Sequence, residues 1–331
     1  MTLLTLIREE LPVVRPTDRM TEDHPLRTWP PTHRLRHSAW LRAAAFLLLL
    51  FGGMIIFISV YMAIFGFDVV TLVFDGSRLS AVYDPPTLPH IAQLAAAVVA
   101  YVVLAFVMES RTWPYELAPR RGLGLFKGML LGLLLISACV GVLAIVGVYR
   151  VESVNWGYDP WTALLTLGLV AAVSEEIMFR GVLFRLAEEG LGTLGAVAVS
   201  ALFFGGIHVT NADGTWWGAA AIAIEAGILF GAVYALTRSL WWCVGLHFAW
   251  NVTEGPIFGS TVSGTSSTGS WLSATWTGPE LLTGGSFGLE ASIVPVVLLG
   301  LLGVALLVHL QRRGALVAPL WVRKQALAGQ P

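Results

Sequence analysis

The sequence predicts an all-α, polytopic membrane protein of about eight transmembrane helices surrounding an intramembrane catalytic cavity. Three observations predict it. Hydrophobic residues make up 56% of the 331 positions and charged residues only 12%. The mean hydropathy is +0.74, far from the balance of a soluble domain. Uncharged stretches long enough to cross roughly 30 Å of hydrocarbon recur along the chain. Finally, the basic residues fall almost wholly on one side of the loops that those stretches define.

Residues 1–42 are Arg-rich and broken by proline, and they lack a short apolar core followed by a small-residue cleavage site. They read as a cytosolic tail and not as a signal peptide. Eight spans follow at about 43–67, 91–108, 128–149, 161–183, 192–210, 215–237, 239–254 and 291–309. The fourth, sixth and seventh are interrupted by ionisable residues. With the N-terminus in the cytosol, all of the 20 basic residues except Arg78 and Arg150 fall on the cytosolic side. That asymmetry sets both termini in the cytosol of a multi-pass protein of the cell membrane. The transmembrane domain then covers 43–309, and 310–331 is a second cytosolic tail. Residues 255–290 are rich in Ser, Thr and Gly and lack Lys and Arg, which reads as a flexible extracytoplasmic loop.

Net charge is −1, so nothing in the overall balance calls for a nucleic-acid partner. The implied surroundings are the lipid bilayer and a membrane-associated protein or peptide. Cys139 and Cys243 lie far apart in apolar runs, which makes neither a disulfide framework nor a metal-type Cys pair. Gly128/Gly132 and Gly227/Gly231 stand at helical spacing, where small residues let helices approach closely.

The chemistry gathers in "VSEEIMFRGVLFR", residues 173–185. A charge at the centre of a membrane helix costs about 2.5–3.5 kcal/mol on insertion scales, so such residues usually face a partner or a wet cavity. Glu176 and Arg180 are four apart with the acid first, the favourable order for an ion pair. Glu175 lies about 100° round the helix and remains available as a general base. Among seven histidines only His208 and His247 lie deep in apolar sequence. Phe204 sits one turn before His208, and Asn251 one turn after His247.

From the turn near 188–192, Glu175 lies about 20 Å along one helix and His208 about 24 Å along the next. His247 and Asn251 lie about 12 and 18 Å into the seventh span. Glu175, His208, His247 and Asn251 therefore reach a common depth. Two imidazoles with Glu175 or Asn251 suit a zinc-type site holding a water, and a carboxylate beside that water can take its proton during attack on a peptide carbonyl. A metal-free, glutamate-activated water is the alternative, and these residues do not choose between the two.

In order, "EEIMFRG", "FGGIH" and "HFAWN", with "TRSLWWCVGLH" leading into the last, resemble the CAAX prenyl endopeptidase and bacteriocin-processing (CPBP, or Abi) family of intramembrane proteases. The resemblance covers about residues 161–254. It implies that Glu175 and His208 activate the attacking water. It also implies that His247 and Asn251 bind a metal or stabilise the oxyanion, with Glu176, Arg180 and Phe204 supporting the site. The implied activity is endoproteolysis of a membrane-associated substrate, of which CAAX-type prenylated tails are one class and bacteriocin or regulatory peptides another. Two other readings compete. One is a non-catalytic scaffold or immunity-type protein that binds a partner in the same cavity. The other is a transporter relaying protons through Glu175 and Glu225, although Glu225 is equally well explained as a hydrogen-bonding group between helices.

Overall fold

The computed structural model describes residues 38–64, 88–109, 111, 113–265 and 269–322. Nearly all of the expected N-terminal tail, the end of the first expected span and residues 323–331 of the expected C-terminal tail lie outside the described residues. Helix α1 is Ala39–Ile64, α2 is Leu88–Met108 and α3 is Leu123–Ile145. The continuous run Trp161–Thr210 has a non-helical residue at Gly192, with φ 70° and ψ 179°. It therefore folds into two arms, α4 (161–191) and α5 (193–210). Helix α6 is Trp216–Thr237. Helix α7 is Leu240–Val252, prolonged by a wide π-type turn at Thr253–Ile257. Helix α8 is Ile293–Arg312.

The chain is an all-α polytopic membrane protein. Among the described residues, six helices are long and apolar enough to cross a membrane, with Trp161–Thr210 counted as one. The expected number of eight differs for two physical reasons. Gly192, whose backbone is not helical, separates two helices, α4 and α5, that are counted here as one continuous run. Helix α7 is short and carries His247, Asn251 and Glu254 near or in it, and it is not one of the six.

A small sheet departs from the helical expectation. Strands β1 (Tyr149–Val154) and β2 (Leu272–Trp276) pair antiparallel, with Tyr149 opposite Trp276 and Val154 opposite Leu272. The third span was expected to reach residue 149, but Gly147 at φ 80° turns the chain just after α3 ends at Ile145. Tyr149 meets the Trp276 ring at 4.7 Å and the Phe258 ring at 5.8 Å. Residues 255–290, expected as a flexible loop, thus contain a paired strand anchored by aromatic contacts, which outweigh their Ser/Gly-rich composition.

Charged residues meet around the ends of α1, α2 and α4. Arg42 lies inside α1, fully buried, and donates to Glu109 at 2.8 Å. It also pairs with Glu189. Arg185 donates to the same Glu109 oxygen at 2.8 Å. Arg111 grips Glu116 with two bonds of 2.9 and 2.7 Å, and Tyr101 donates to Glu116 at 2.6 Å. Burial alone would raise the Glu116 carboxyl, but the Arg111 guanidinium outweighs it and holds the group well below the usual carboxylate range. Its contribution to stability is present above that usual range and is lost as pH falls through the lowered value. The basic residues that the sequence assigns to one side therefore include a linked set.

Packing of α3 on α7 positions the later site. A Cβ on Gly128 would stand 2.3 Å from the Trp242 carbonyl oxygen, and one on Gly132 would stand 2.5 Å from that of Leu246. Gly227 has the same close approach to Ala201, at 2.7 Å, whereas at Gly231 a Cβ would meet only ordinary contacts from 3.4 Å outward. Three of the four spaced glycines thus permit close packing. Gly128→Ala and Gly132→Ala should each lower stability by about 1–3 kcal/mol through overpacking. Gly52→Ala, where a Cβ meets nothing within 4 Å, serves as the neutral control. Thermal unfolding of the three variants in detergent measures the contrast.

Candidate functional site

Glu176 is the hub. Its carboxylate is fully buried, and one oxygen, Oε1, accepts from Arg180 Nη1 at 2.9 Å and from His247 Nδ1 at 2.9 Å. The first contact is the expected i,i+4 pair on α4. The second joins α4 to α7 and was not expected. A carboxylate can only accept, so Nδ1 of His247 carries the hydrogen. In the neutral ring this leaves the lone pair on Nε2.

That Nε2 stands 4.0 Å from Glu175 Oε2. Glu175 Oε2 is buried and has no hydrogen-bond partner. The Glu175 side chain is nevertheless 16% exposed, against 0% for Glu176. One carboxylate is thus immobilised by two donors, and its neighbour is unengaged and more open.

His208 closes α5, where its Nδ1 lies 2.6 Å from the Phe204 carbonyl oxygen. A carbonyl also only accepts, so His208 adopts the same arrangement, with Nδ1–H donating and Nε2 unengaged. Phe204 lies between the two histidines, its ring centroid 5.1 Å from His208 and 5.9 Å from His247. Its ring also faces the Arg180 guanidinium at 4.6 Å. Both imidazoles are buried. Among the described residues, no hydrogen bond joins His208 to Glu175. Asn251, also buried, donates its amide Nδ2 to the Leu167 carbonyl on α4 at 2.8 Å. That bond leaves it a second amide hydrogen and its carbonyl oxygen.

The structure therefore assembles Glu175, Glu176, Arg180, His247, Phe204 and His208 through direct contacts. Asn251 is tied to α4 one turn along α7. Two contributors carried no sequence signal. Phe230 lies in an unbroken apolar run, yet its ring centroid is 5.2 Å from Arg180 and 5.5 Å from His247. The Leu167 carbonyl is a backbone group, and no side-chain pattern marks it. Glu225, read as a cavity group or an interhelical hydrogen bond, is fully buried with neither oxygen hydrogen-bonded.

Zinc finds no ready ligand set. Among the described residues, no three His, Cys, Asp or Glu side chains are gathered so as to hold a metal ion. A catalytic zinc takes three protein ligands and a water. Glu176 already engages His247 Nδ1, and His247 and Glu175 alone approach each other. Apart from this cluster, an apolar groove of about 650 Å³ lies between α1 and α2, lined by Leu48, Gly53, Phe57 and Val99 among others.

In a polytopic helical membrane protein, paired glutamates and two histidines drawn together between helices mark a candidate functional site. Residues 157–253 match the family model described as "Type II CAAX prenyl endopeptidase Rce1-like". That stretch spans α4 to α7 and every residue of the cluster, and over it the chain is similar to the Rce1-like family of CAAX prenyl endopeptidases. No curated protein and no solved structure matches the chain.

Arg180→Ala should strip the paired guanidinium from the buried Glu176 and cost about 3–5 kcal/mol, the usual penalty for orphaning one partner of a dry ion pair. Thermal unfolding measures it, and a double variant with Glu176→Gln should recover part of the loss.

Proposed function

We propose that the protein is an intramembrane endopeptidase that hydrolyses a peptide bond near the end of a membrane-associated substrate of the CAAX type. The carrying observation is the unengaged Glu175 carboxylate, 4.0 Å from His247 Nε2 and beside the immobilised Glu176. Glu175 Oε2 has no other hydrogen-bond partner, which suits it to hold a water and take its proton as the oxygen attacks the carbonyl. His208, with Nε2 unengaged, assists at the same water. His247, in its protonated form, offers Nε2–H to the developing oxyanion, and the remaining amide hydrogen of Asn251 supplies a second donor. The proton accepted by Glu175 passes to the leaving amine as the tetrahedral adduct collapses. Arg180, Glu176 and Phe204 keep His247 in place.

The family match supports the reaction class, and the Arg-rich loops support an orientation with both termini in the cytosol of the cell membrane. The core is then 161–254, with 255–290 on the extracytoplasmic side and tails at 1–42 and 310–331. No step in this scheme passes through a metal.

Glu175→Ala, His208→Ala and His247→Ala should each reduce cleavage of a CAAX-type peptide by about 10²-fold or more, the usual contribution of a positioned acid–base group. Undiminished turnover in all three would remove the protease reading and leave a partner-binding scaffold. Chelation should leave cleavage by the purified protein unchanged. Loss of activity restored by zinc alone would move the chemistry onto a metal.

A further inference from the structure

A second set of carboxyls lies outside the cluster just described. Glu225 projects from the wide turn Ala223–Ile228 of α6, Glu254 from the wide turn after α7, and Glu290 from the short turn before α8. Glu225 and Glu254 are 0% exposed and Glu290 is 3% exposed. Glu225 lies within electrostatic reach of Glu290 and Glu254, Glu254 within reach of Glu290, and Cys139 on α3 within reach of Glu225 and Glu254. Among the described residues no Arg, Lys or His pairs with any of them.

Their hydrogen bonds differ. Both Glu290 oxygens accept, Oε1 from Trp250 Nε1 at 3.0 Å and Oε2 from Ser263 Oγ at 2.7 Å, the pattern of an ionised carboxylate. Neither Glu225 oxygen has a partner, and Glu254 Oε2 has none. Three dry negative charges without a cation would repel one another at full strength, at a cost of several kcal/mol each. These groups also form no metal-ligand cluster. The remaining way to balance the charge is to carry hydrogen.

We propose that Glu225 and Glu254 are proton-binding sites, neutral carboxylic acids gathered around the Glu290 carboxylate, and that this protonated cluster clamps the chain at 258–265 and 287–292 onto the helix bundle. The ties run outward from Glu254 and Glu290, beside which Glu225 is buried without a hydrogen bond. Ser260 Oγ donates to Glu254 at 3.3 Å and accepts from the Leu289 amide at 2.8 Å. Ser263, held by Glu290, accepts from Asn211 Nδ2 at 2.7 Å through its carbonyl. Asn211 belongs to the turn that follows His208, so the clamp also braces the end of α5. Loss of a proton leaves like charges facing one another across α6, α7 and this strap, and loosens the strap. The clamp stands whether or not the protein is a protease, because it uses none of the proposed catalytic residues.

Full-length protein in nanodiscs tests it, by thermal unfolding near about pH 6 and about pH 9 and by infrared spectroscopy of the protonated-carboxyl C=O stretch. Neutral acids hold the fold at low pH, and that support is lost as pH rises. One such proton lowers the folding equilibrium constant by up to about tenfold per pH unit once linkage begins. Gln copies the shape of a neutral carboxylic acid. Glu225→Gln should therefore match the wild-type Tm near pH 6, exceed it near pH 9, and remove part of a C=O band that the wild type shows at neutral pH. Glu254→Gln should behave alike. A variant that fails to fold near pH 6, a Tm lowered equally at both pH values, or a wild type without the band would each overturn the proposal.

Discussion

Everything at the candidate site depends on one buried carboxylate accepting two hydrogen bonds at once. Glu176 Oε1 takes Arg180 from its own helix and His247 from another, both at 2.9 Å. An ionised glutamate in dry surroundings is tolerable only when paired and hydrogen-bonded. The cation satisfies the charge and the imidazole adds a second bond to the same oxygen, while Oε2 is buried without a hydrogen-bond partner. The same contact fixes which nitrogen of His247 carries hydrogen, and so which nitrogen turns toward Glu175. Phe204 and Phe230 face the guanidinium with their rings, at 4.6 and 5.2 Å. Glu175 Oε2 is left without a hydrogen-bond partner beside a neighbour that is held by two donors.

Bringing His247 to Glu176 requires α7 to lie in the right place, and that is a matter of backbone approach. Gly128 and Gly132 on α3 leave room for the carbonyls of Trp242 and Leu246. Without a strong hydrophobic drive between helices inside lipid, such close contact is a main source of association. Asn251 adds a directed tie from α7 to the Leu167 carbonyl. Among the described residues, five wide turns of π type interrupt the helices, at Val103–Met108, Leu164–Val170, Ile177–Phe184, Ala223–Ile228 and Thr253–Ile257. Four of them fall in the segment that holds Arg180, Leu167, Glu225 and Glu254, in keeping with the concentration of such bulges at functional positions.

Much of this is legible in the residues. Long uncharged runs announce the helices, and an acid four places before an arginine announces the Glu176–Arg180 pair. Two deep histidines stand out because polar groups are rare there. What could not be read has a common cause: it depends on partners distant in sequence. Nothing near His247 says that Glu176, and not only Glu175, will meet it. Phe230 looks like any other apolar residue. Residues 255–290 have the composition of a loose loop, yet Leu272–Trp276 finds a partner in Tyr149–Val154 far upstream. The turn expected near 188–192, between the fourth and fifth spans, falls where Gly192 leaves the helical conformation.

The central claim is that Glu176 orients His247 and leaves Nε2 to face Glu175. Nitrogen-15 NMR of the protein labelled at histidine, with His247→Gln to assign the signal, reads it directly. The account predicts that His247 Nδ1 stays protonated and hydrogen-bonded across the whole range in which the protein is folded, with only Nε2 titrating. A neutral His247 that carries its hydrogen on Nε2, with Nδ1 bare, would contradict it.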